Sequence, residues 1–544
     1  MLNRKIPTKI LCTKRKKNKW SFEILIRPNS YITNLKIIVK KREEDMSINI
    51  PHKLLKKRDF YKVYFEIDLM ELPIKPGLWD FYVNINNEIN YRINNPYYRV
   101  YKKINKRLAS TCTRGRYLCY PYLTVKGGLS LNYREKGKYD SPKYIFKEKI
   151  ALFIYYCFKL YWDKKNIWLI NEKFSNTAQD NSYFFFKYCM ENKLCNNLFY
   201  VINKEANDYK NLEKYDKHVI DFMSIKHIIY LLASKFLISS ESRAHSYIWK
   251  EYRGKVKKVV NKKKHVFLQH GVIGLKKVDS IFKKGLPNGT DLFFASSEYE
   301  KEIIMKNFNY NSEEIIISGL SRWDFIKNIP SNSRKILLFP TWRTELDNAT
   351  EEEFLKSKFF LQYKHLISSP QLHNLLDQNN IRMTFCIHPR INDKIKYFIS
   401  NSPLIQITKH NELKINELIM ESSLLITDYS SVSWDMFYLG KPVIFFQTGS
   451  INSYMNLDFE LFGDRCTNYD ELFNLLSDYI KNDFKEKVMY GVLRERYFKF
   501  IDKNNSYRIY KGIKNKEKQL SKSNSITSLL KDTYLYKGLR NRLS

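Results

Sequence analysis

The eight cysteines, Cys12, Cys112, Cys119, Cys157, Cys189, Cys195, Cys386 and Cys466, form no Cys-x-x-Cys pair. Neither a zinc site nor a disulfide framework is indicated, and a reducing cytoplasm is the simplest setting. Long apolar runs are missing too: the longest, residues 150–158, falls far short of the roughly 20 residues that span a bilayer. The start, Met1 to Lys5, lacks the apolar core of a signal peptide. Any membrane is therefore expected to be met from the side. No repeat at solenoid or propeller period is present, nor any low-complexity segment beyond basic runs. Acidic residues are scarce: 56 face 94 basic ones, for a formal charge of +38. That excess favours an anionic partner, whether nucleic acid, an acidic membrane surface or a phosphate-rich substrate.

What remains is a long globular chain. At 544 residues and 44% apolar content it should hold two or three domains. Residues 1–134 read as a β-rich accessory domain, sandwich-like, with strands over Trp20–Ile26, Leu35–Val39, Tyr61–Leu69 and Trp79–Ile85 and turns at Pro76-Gly77 and Asn86-Asn87. The cluster Lys14 to Lys17 reads as a solvated face. Residues 135–165 are a basic helical linker whose aromatic run either rests on lipid headgroups or packs on the next domain. From Ile167 short apolar runs alternate with helical segments, the signature of a parallel α/β sheet. Residues 166–328 form one such domain and 329–484 a second; 485–544 are a helical, basic tail. The fold class is α/β, a pair of doubly wound Rossmann-type domains of GT-B kind with facing carboxyl ends and a cleft between them.

The expected strand ends carry the chemistry, where open α/β sheets hold their ligands. In the first series these are Asn171, Ser239 to Ser242, Gln269-His270-Gly271, Ser296-Ser297 and Ser318-Gly319; in the second, Pro340 to Arg343, His388 to Arg390, and the polar knot Thr427 to Ser431. The knot joins the buried run Leu424–Ile426 to a helix marked by Val432, Met436 and Leu439, so Asp428 or Ser430 can cap that helix and its amino terminus can hold an anion. An isolated Asp-x-Ser-Ser more often only caps. A lone histidine is more often structural, but His270 stands before Gly271 at a strand end and His388 occupies an equivalent place in the second series, with Arg390 able to fork onto phosphate oxygens. No Asp-x-Asp stands near either histidine, so no metal and no cofactor is indicated.

The ordered set His270-Gly271 with Leu275-Lys276, Gly319 to Asp324, Pro340 to Arg343, His388-Pro389, and Thr427 to Ser431 followed by Lys441 to Phe446 resembles the CDP-glycerol glycerophosphotransferase family of teichoic acid primases and polymerases; Ala178 to Asn181 is similar to a further motif of that family. The resemblance covers about residues 165–480. It implies transfer of glycerol phosphate or ribitol phosphate from a CDP-activated donor to a hydroxyl of a lipid-linked anionic polymer of teichoic-acid or capsule type, releasing CMP at the cytoplasmic face of the membrane, where the enzyme would be peripheral. In that reading His270 and His388 are catalytic. Arg390, Asp428, Ser430, Ser431, Gly271 and Arg343 bind the donor; Asp180, Asn181, Lys276, Arg322 and Asp324 are candidates for the acceptor. CDP-glycerol or CDP-ribitol, the polymer and an anionic membrane surface are the implied partners, and no nucleic acid is expected. Two alternatives stay open: a GT-B glycosyltransferase using a nucleotide sugar, and a basic nucleic-acid-binding protein. Against the second, the basic residues are spread along the chain and no recognised motif appears.

Overall fold

In a computed structural model of the chain, the described residues are 8–522 apart from 28–31, 43, 88, 107–109, 125–126, 249–253, 287, 330–333, 342, 344–345, 347–348, 388–393, 410–412 and 448–452. They form two compact units, residues 1–152 with 248–261, and residues 153–247 with 262–544. In the first unit two antiparallel sheets share one core. One orders Thr8–Lys16, Lys19–Ile26, Tyr61–Asp68 and His52–Lys56; the other is built on Leu35–Lys41, Gly77–Ile85, Leu129–Glu135 and Tyr117–Leu123. Alternation explains the layering: Trp20, Phe22, Ile24 and Ile26 point inward with period two, and Phe22 meets Phe65 of its own sheet and Phe81 of the other at ring-centroid distances of 5.2 and 6.4 Å. Asn86 and Asn87 both take positive φ, as a primed hairpin turn demands. Lys14 to Lys16, read from sequence as a solvated face, belong to the strand Thr8–Lys16 paired with Lys19–Ile26.

The second unit contains two parallel sheets. The first has seven strands in the order Val219–Asp221, Leu198–Ile202, Trp168–Asn171, Phe236–Ser239, Lys264–Phe267, Leu292–Ala295, Ile315–Ile317. The second has six, ordered Ile405–Lys409, Arg382–Ile387, Lys335–Leu338, Leu424–Thr427, Val443–Phe446, Asp464–Cys466. Central strands such as Trp168–Asn171 and Leu424–Thr427 are buried at every residue, which is why they read as unbroken apolar runs. Among the described strands of these sheets, Val219–Asp221 and Asp464–Cys466 escape that reading: each has three residues, and Asp221 ends the first while Asp464 and Arg465 make up most of the second.

Both sheets run outward in both directions from their first strand, so each has a switch point between its first and fourth strands in chain order. In the first sheet the residues leaving that point are Asn171-Glu172 and Ser240-Glu241; in the second they are Phe339 to Thr341 and Asp428 to Ser431. The helix Asn505–Lys522 returns to the first parallel sheet, where Ile509 and Ile513 are fully buried in a core that also holds Trp168 and Phe294.

Candidate functional site

His270 is presented by strain that the surrounding structure holds in place. After the strand Lys264–Phe267, Gln269 adopts φ +62°, a left-handed conformation that costs a non-glycine residue about 1 kcal/mol or more. The side chain of Gln269 is anchored by donation to Glu300 Oε1 at 3.0 Å and to the Phe294 carbonyl at 2.5 Å. Glu300 lies in the first turn of the helix Glu298–Phe308 and also accepts the N–H groups of Ile273 and Ser296, each at 2.6 Å. One buried carboxylate thus braces both ends of the turn carrying His270, and burial pushes its pKa up while these donors oppose the shift.

Two other motifs converge on the same turn. Asp180, N-cap of the helix Asn181–Glu191, accepts from His270 Nδ1 at 2.7 Å. Arg322 donates through Nη1 to Asp180 Oδ1 at 2.8 Å and to the His270 carbonyl at 2.7 Å. Asn181 donates to the Gln269 carbonyl and accepts from the Arg322 N–H, so it ties all three segments together. Behind them, buried Glu172 collects the N–H groups of Gln179, Asp180 and Tyr183 at 3.0, 2.9 and 2.8 Å. Burial and the nearby Asp180 charge push Glu172 upward against those three donors.

Electrostatics poise the pair. Desolvation pulls the imidazolium of His270 down, but the charge and hydrogen bond of Asp180, aided by Glu241, outweigh it and raise the pKa above its ordinary value. Desolvation opposes ionisation of Asp180, yet His270 and Arg322 hold it below the usual carboxylate range. With Nδ1–H engaged by Asp180, Nε2 is the ring's proton acceptor. The His270 side chain is 64% accessible and lines a cavity of about 370 Å³.

The second parallel sheet closes that cavity. Tyr429, Ser430 and Ser431 line it opposite His270, Gly271 and Lys276. A Cβ on Gly271 would stand 2.6 Å from Ser431 Cβ, so only glycine permits this approach of the two turns. Asn416 Nδ2 reaches the Gln179 carbonyl at 2.8 Å, and Arg322 forks onto Asp435 through Nε and Nη2 at 2.8 and 3.0 Å. Trp323 Nε1 adds a third donor to Asp435. Arg322, with its side chain 6% exposed, pairs with protein carboxylates on both sides and also lines the cavity.

The knot also differs from its sequence reading. Asp428 does not cap the helix Val432–Tyr438; its Oδ1 accepts the N–H groups of Thr341 and Tyr429 at 2.9 and 2.7 Å, joining the two strand ends at the switch point. Arg343 Nη1 stands 2.7 Å from Asp428 Oδ2, and neither residue lines the cavity. Ser431 is the N-cap residue and makes no side-chain capping bond, while Ser430 Oγ accepts from Val432 N at 3.4 Å. Both hydroxyls therefore remain available to a ligand. Asp324, expected near an acceptor, instead receives Asn505 N, Asn505 Nδ2 and Ser506 N at 2.9, 2.8 and 2.7 Å and holds the start of the helix Asn505–Lys522. His388 and Arg390 lie outside the described residues. Sequence reasoning missed Glu172, Glu300 and Asp435; Asp435 offered a signal, an acidic residue inside the largely apolar helix Val432–Tyr438, whereas Glu172 and Glu300 stand among polar neighbours and offered none.

The family model described as CDP-Glycerol:Poly(glycerophosphate) glycerophosphotransferase matches residues 152–515. The minor teichoic acid biosynthesis protein GgaB of Bacillus subtilis is 29% identical over 396 residues, covering 68% of this chain and 42% of that protein. A teichoic acid poly(glycerol phosphate) polymerase of Staphylococcus epidermidis is 26% identical, covering 36% of this chain and 29% of its own length. The teichoic acid ribitol-phosphate polymerase TarK of Staphylococcus aureus is 22% identical, with 40% and 44% covered. The match thus spans less than half the length of each of these relatives. The solved structure of the wall teichoic acid polymerase TagF aligns over 70% of this chain and 99% of that chain at 17% identity, with a TM-score of 0.48.

Proposed function

We propose that this chain, which belongs to the CDP-glycerol:poly(glycerophosphate) glycerophosphotransferase family, transfers a polyol phosphate from a CDP-activated donor to a hydroxyl of a teichoic-acid-type polymer. The observation that carries this reading is the Asp180–His270 pair at the edge of a cavity faced by the hydroxyls of Ser430 and Ser431. An alcohol needs a base near neutrality, and a histidine whose Nδ1–H is held by a carboxylate supplies one at Nε2. The acceptor oxygen attacks the polyol-bearing phosphorus, the bond from that phosphorus to the bridging oxygen breaks, CMP departs with that oxygen, and the hydroxyl proton passes to His270. Ser430 and Ser431 would meet the pyrophosphate, joined by His388 and Arg390 on the strength of their motif, and Lys276 would meet the acceptor; Gly271 lets the donor's phosphates approach the turn.

The relatives include both glycerol-phosphate and ribitol-phosphate polymerases, so both donors belong in the assay. In the same reading the two parallel sheets are the halves of a GT-B pair, residues 1–134 are an accessory domain, and the acceptor is lipid-linked at the cytoplasmic membrane face. Among the described residues no helix is long and apolar enough to cross a membrane. Incubation with radiolabelled CDP-glycerol, CDP-ribitol and UDP-sugars side by side tests the reading: CMP and labelled polymer are expected from a CDP-polyol, and turnover of UDP-sugars alone would replace it with glycosyl transfer. His270→Ala should lower transfer about 100-fold or more with folding intact, and near wild-type turnover would remove His270 from the mechanism.

A further inference from the structure

Four carboxylates line the cavity: Glu172, Asp180, Glu241 and Asp435. Three are spent inside the protein. Glu172 takes three N–H groups, Asp180 takes His270 and Arg322, and Asp435 takes Arg322 and Trp323. Glu241 differs. Its main-chain carbonyl accepts from Ser239 Oγ at 2.5 Å, which fixes the turn after the strand Phe236–Ser239, but its carboxylate takes no hydrogen bond from any described residue. The turn leaves the first sheet at its switch point, beside the residues following Trp168–Asn171, where doubly wound sheets hold ligands. The charged groups that face Glu241 are His270, Lys173 and Asp180, and burial raises its pKa.

Glu241 is half-buried at the cavity wall, and its carboxylate, engaged by no described residue, can accept from a group that enters the cavity. A pyrophosphate oxygen matches it poorly, since that oxygen has no proton to donate and repels the carboxylate whenever Glu241 is ionised. The matching chemistry is an uncharged segment rich in O–H donors. Resting on the function proposed above, we infer that Glu241 is an acceptor-binding residue: its carboxylate receives a hydrogen bond from a hydroxyl of the acceptor's terminal polyol unit, next to the hydroxyl whose proton goes to His270. The residue then selects for an acceptor end that presents neighbouring hydroxyls rather than a terminal phosphate.

The test uses the 544-residue chain and its Glu241→Gln and Glu241→Ala variants, with CDP-glycerol as donor and a soluble glycerol phosphate oligomer ending in a free polyol as acceptor. Loss of one hydrogen bond to a charged group should raise the acceptor KM about tenfold to a hundredfold in Glu241→Ala, with donor KM changed less than about twofold. Because Asp180, Glu241 and Arg322 all face His270, removing one negative charge should also shift the acid limb of kcat/KM to lower pH in Glu241→Gln. That shift reports the charge beside His270 whether or not the acceptor is held, so the acceptor KM is the deciding readout, and the near-isosteric variant supplies it if Glu241→Ala fails to fold. An unchanged acceptor KM in Glu241→Ala, or in Glu241→Gln should the alanine variant not fold, would overturn the inference whatever the acid limb does, as would an equal rise in both KM values. A wild-type chain that transfers normally while both variants keep its acceptor KM sinks only this inference, whereas a wild type that releases CMP from no CDP-polyol sinks the proposed function as well.

Discussion

At the scale of single residues, the pH at which His270 can act is set by what surrounds it. A base works only when neutral, so a pKa raised by Asp180 means that activity falls as pH drops through a value above the ordinary 6.5. Asp180→Asn removes the charge and should move that acid limb to lower pH. It should also cut kcat about tenfold or more, because the amide no longer enforces the tautomer with Nε2 free. A pH–rate profile of the variant checks both, and an unshifted limb would show that Asp180 does not govern the titrating group. Arg322 works differently. It neutralises Asp180 and Asp435 in a place where either carboxylate alone would be costly, so its role is to keep the histidine turn and the second sheet's helix in register.

At the scale of elements, two close approaches position the site. Gly271 passes Ser431 so tightly that an added methyl forces one turn to move. Gly271→Ala is expected to lower kcat/KM about tenfold to a hundredfold, since displacements of about 1 Å at a reacting centre have that effect, and to lower the thermal midpoint, since the forced shift costs about 1–3 kcal/mol. Steady-state kinetics beside a melting curve would check it, and full activity would mean that the turns can separate without consequence. The helix Asn505–Lys522 depends on Asp324, which receives three donors at its start. Asp324→Ala should destabilise the docked helix by about 1–3 kcal/mol, the usual cost of leaving such groups unpaired. Hydrogen exchange should then show faster exchange at Ile509 and Ile513, both fully buried in the wild type. Unchanged protection there would assign the docking to apolar contacts alone.

At the scale of the whole molecule, the +38 charge has a specific companion. The helices Pro142–Cys157 and Lys159–Lys164 expose Phe153 at 71% and Leu160 at 80%, with Phe146, Tyr156, Phe158 and Tyr161 also exposed among lysines. Exposed aromatic and aliphatic side chains beside basic ones suit an anionic bilayer surface. The proposed peripheral attachment predicts flotation with phosphatidylglycerol liposomes at low salt and release at high salt, because each well-placed lysine contributes about 1 kcal/mol and is screened within a Debye length. Phe153→Ser with Leu160→Ser should weaken flotation at low salt. Binding indifferent to lipid charge and salt would defeat the electrostatic account.

The sequence by itself determined the layers and the ends of the strands. Buried parallel strands such as Leu424–Thr427 must be apolar throughout, so they show in the chain as runs, and the polar residues that break each run mark the sheet edge where ligands sit. His270, Gly271, Ser430 and Ser431 were legible for that reason. What only the tertiary structure decided was the partnership among polar groups. Asp180 meets His270 across 90 positions, Arg322 meets Asp435 across 113, and Asp324 holds Asn505 across 181. Apolar periodicity reports which face of an element is buried, because burial needs only the right kind of surface. A hydrogen bond needs a particular donor at a particular distance and angle, and that is settled only when the elements have packed. A glutamate in a polar segment can therefore end as a brace, as Glu300 does, or as an uncommitted carboxylate in the cavity, as Glu241 does, with no local signal to separate the two.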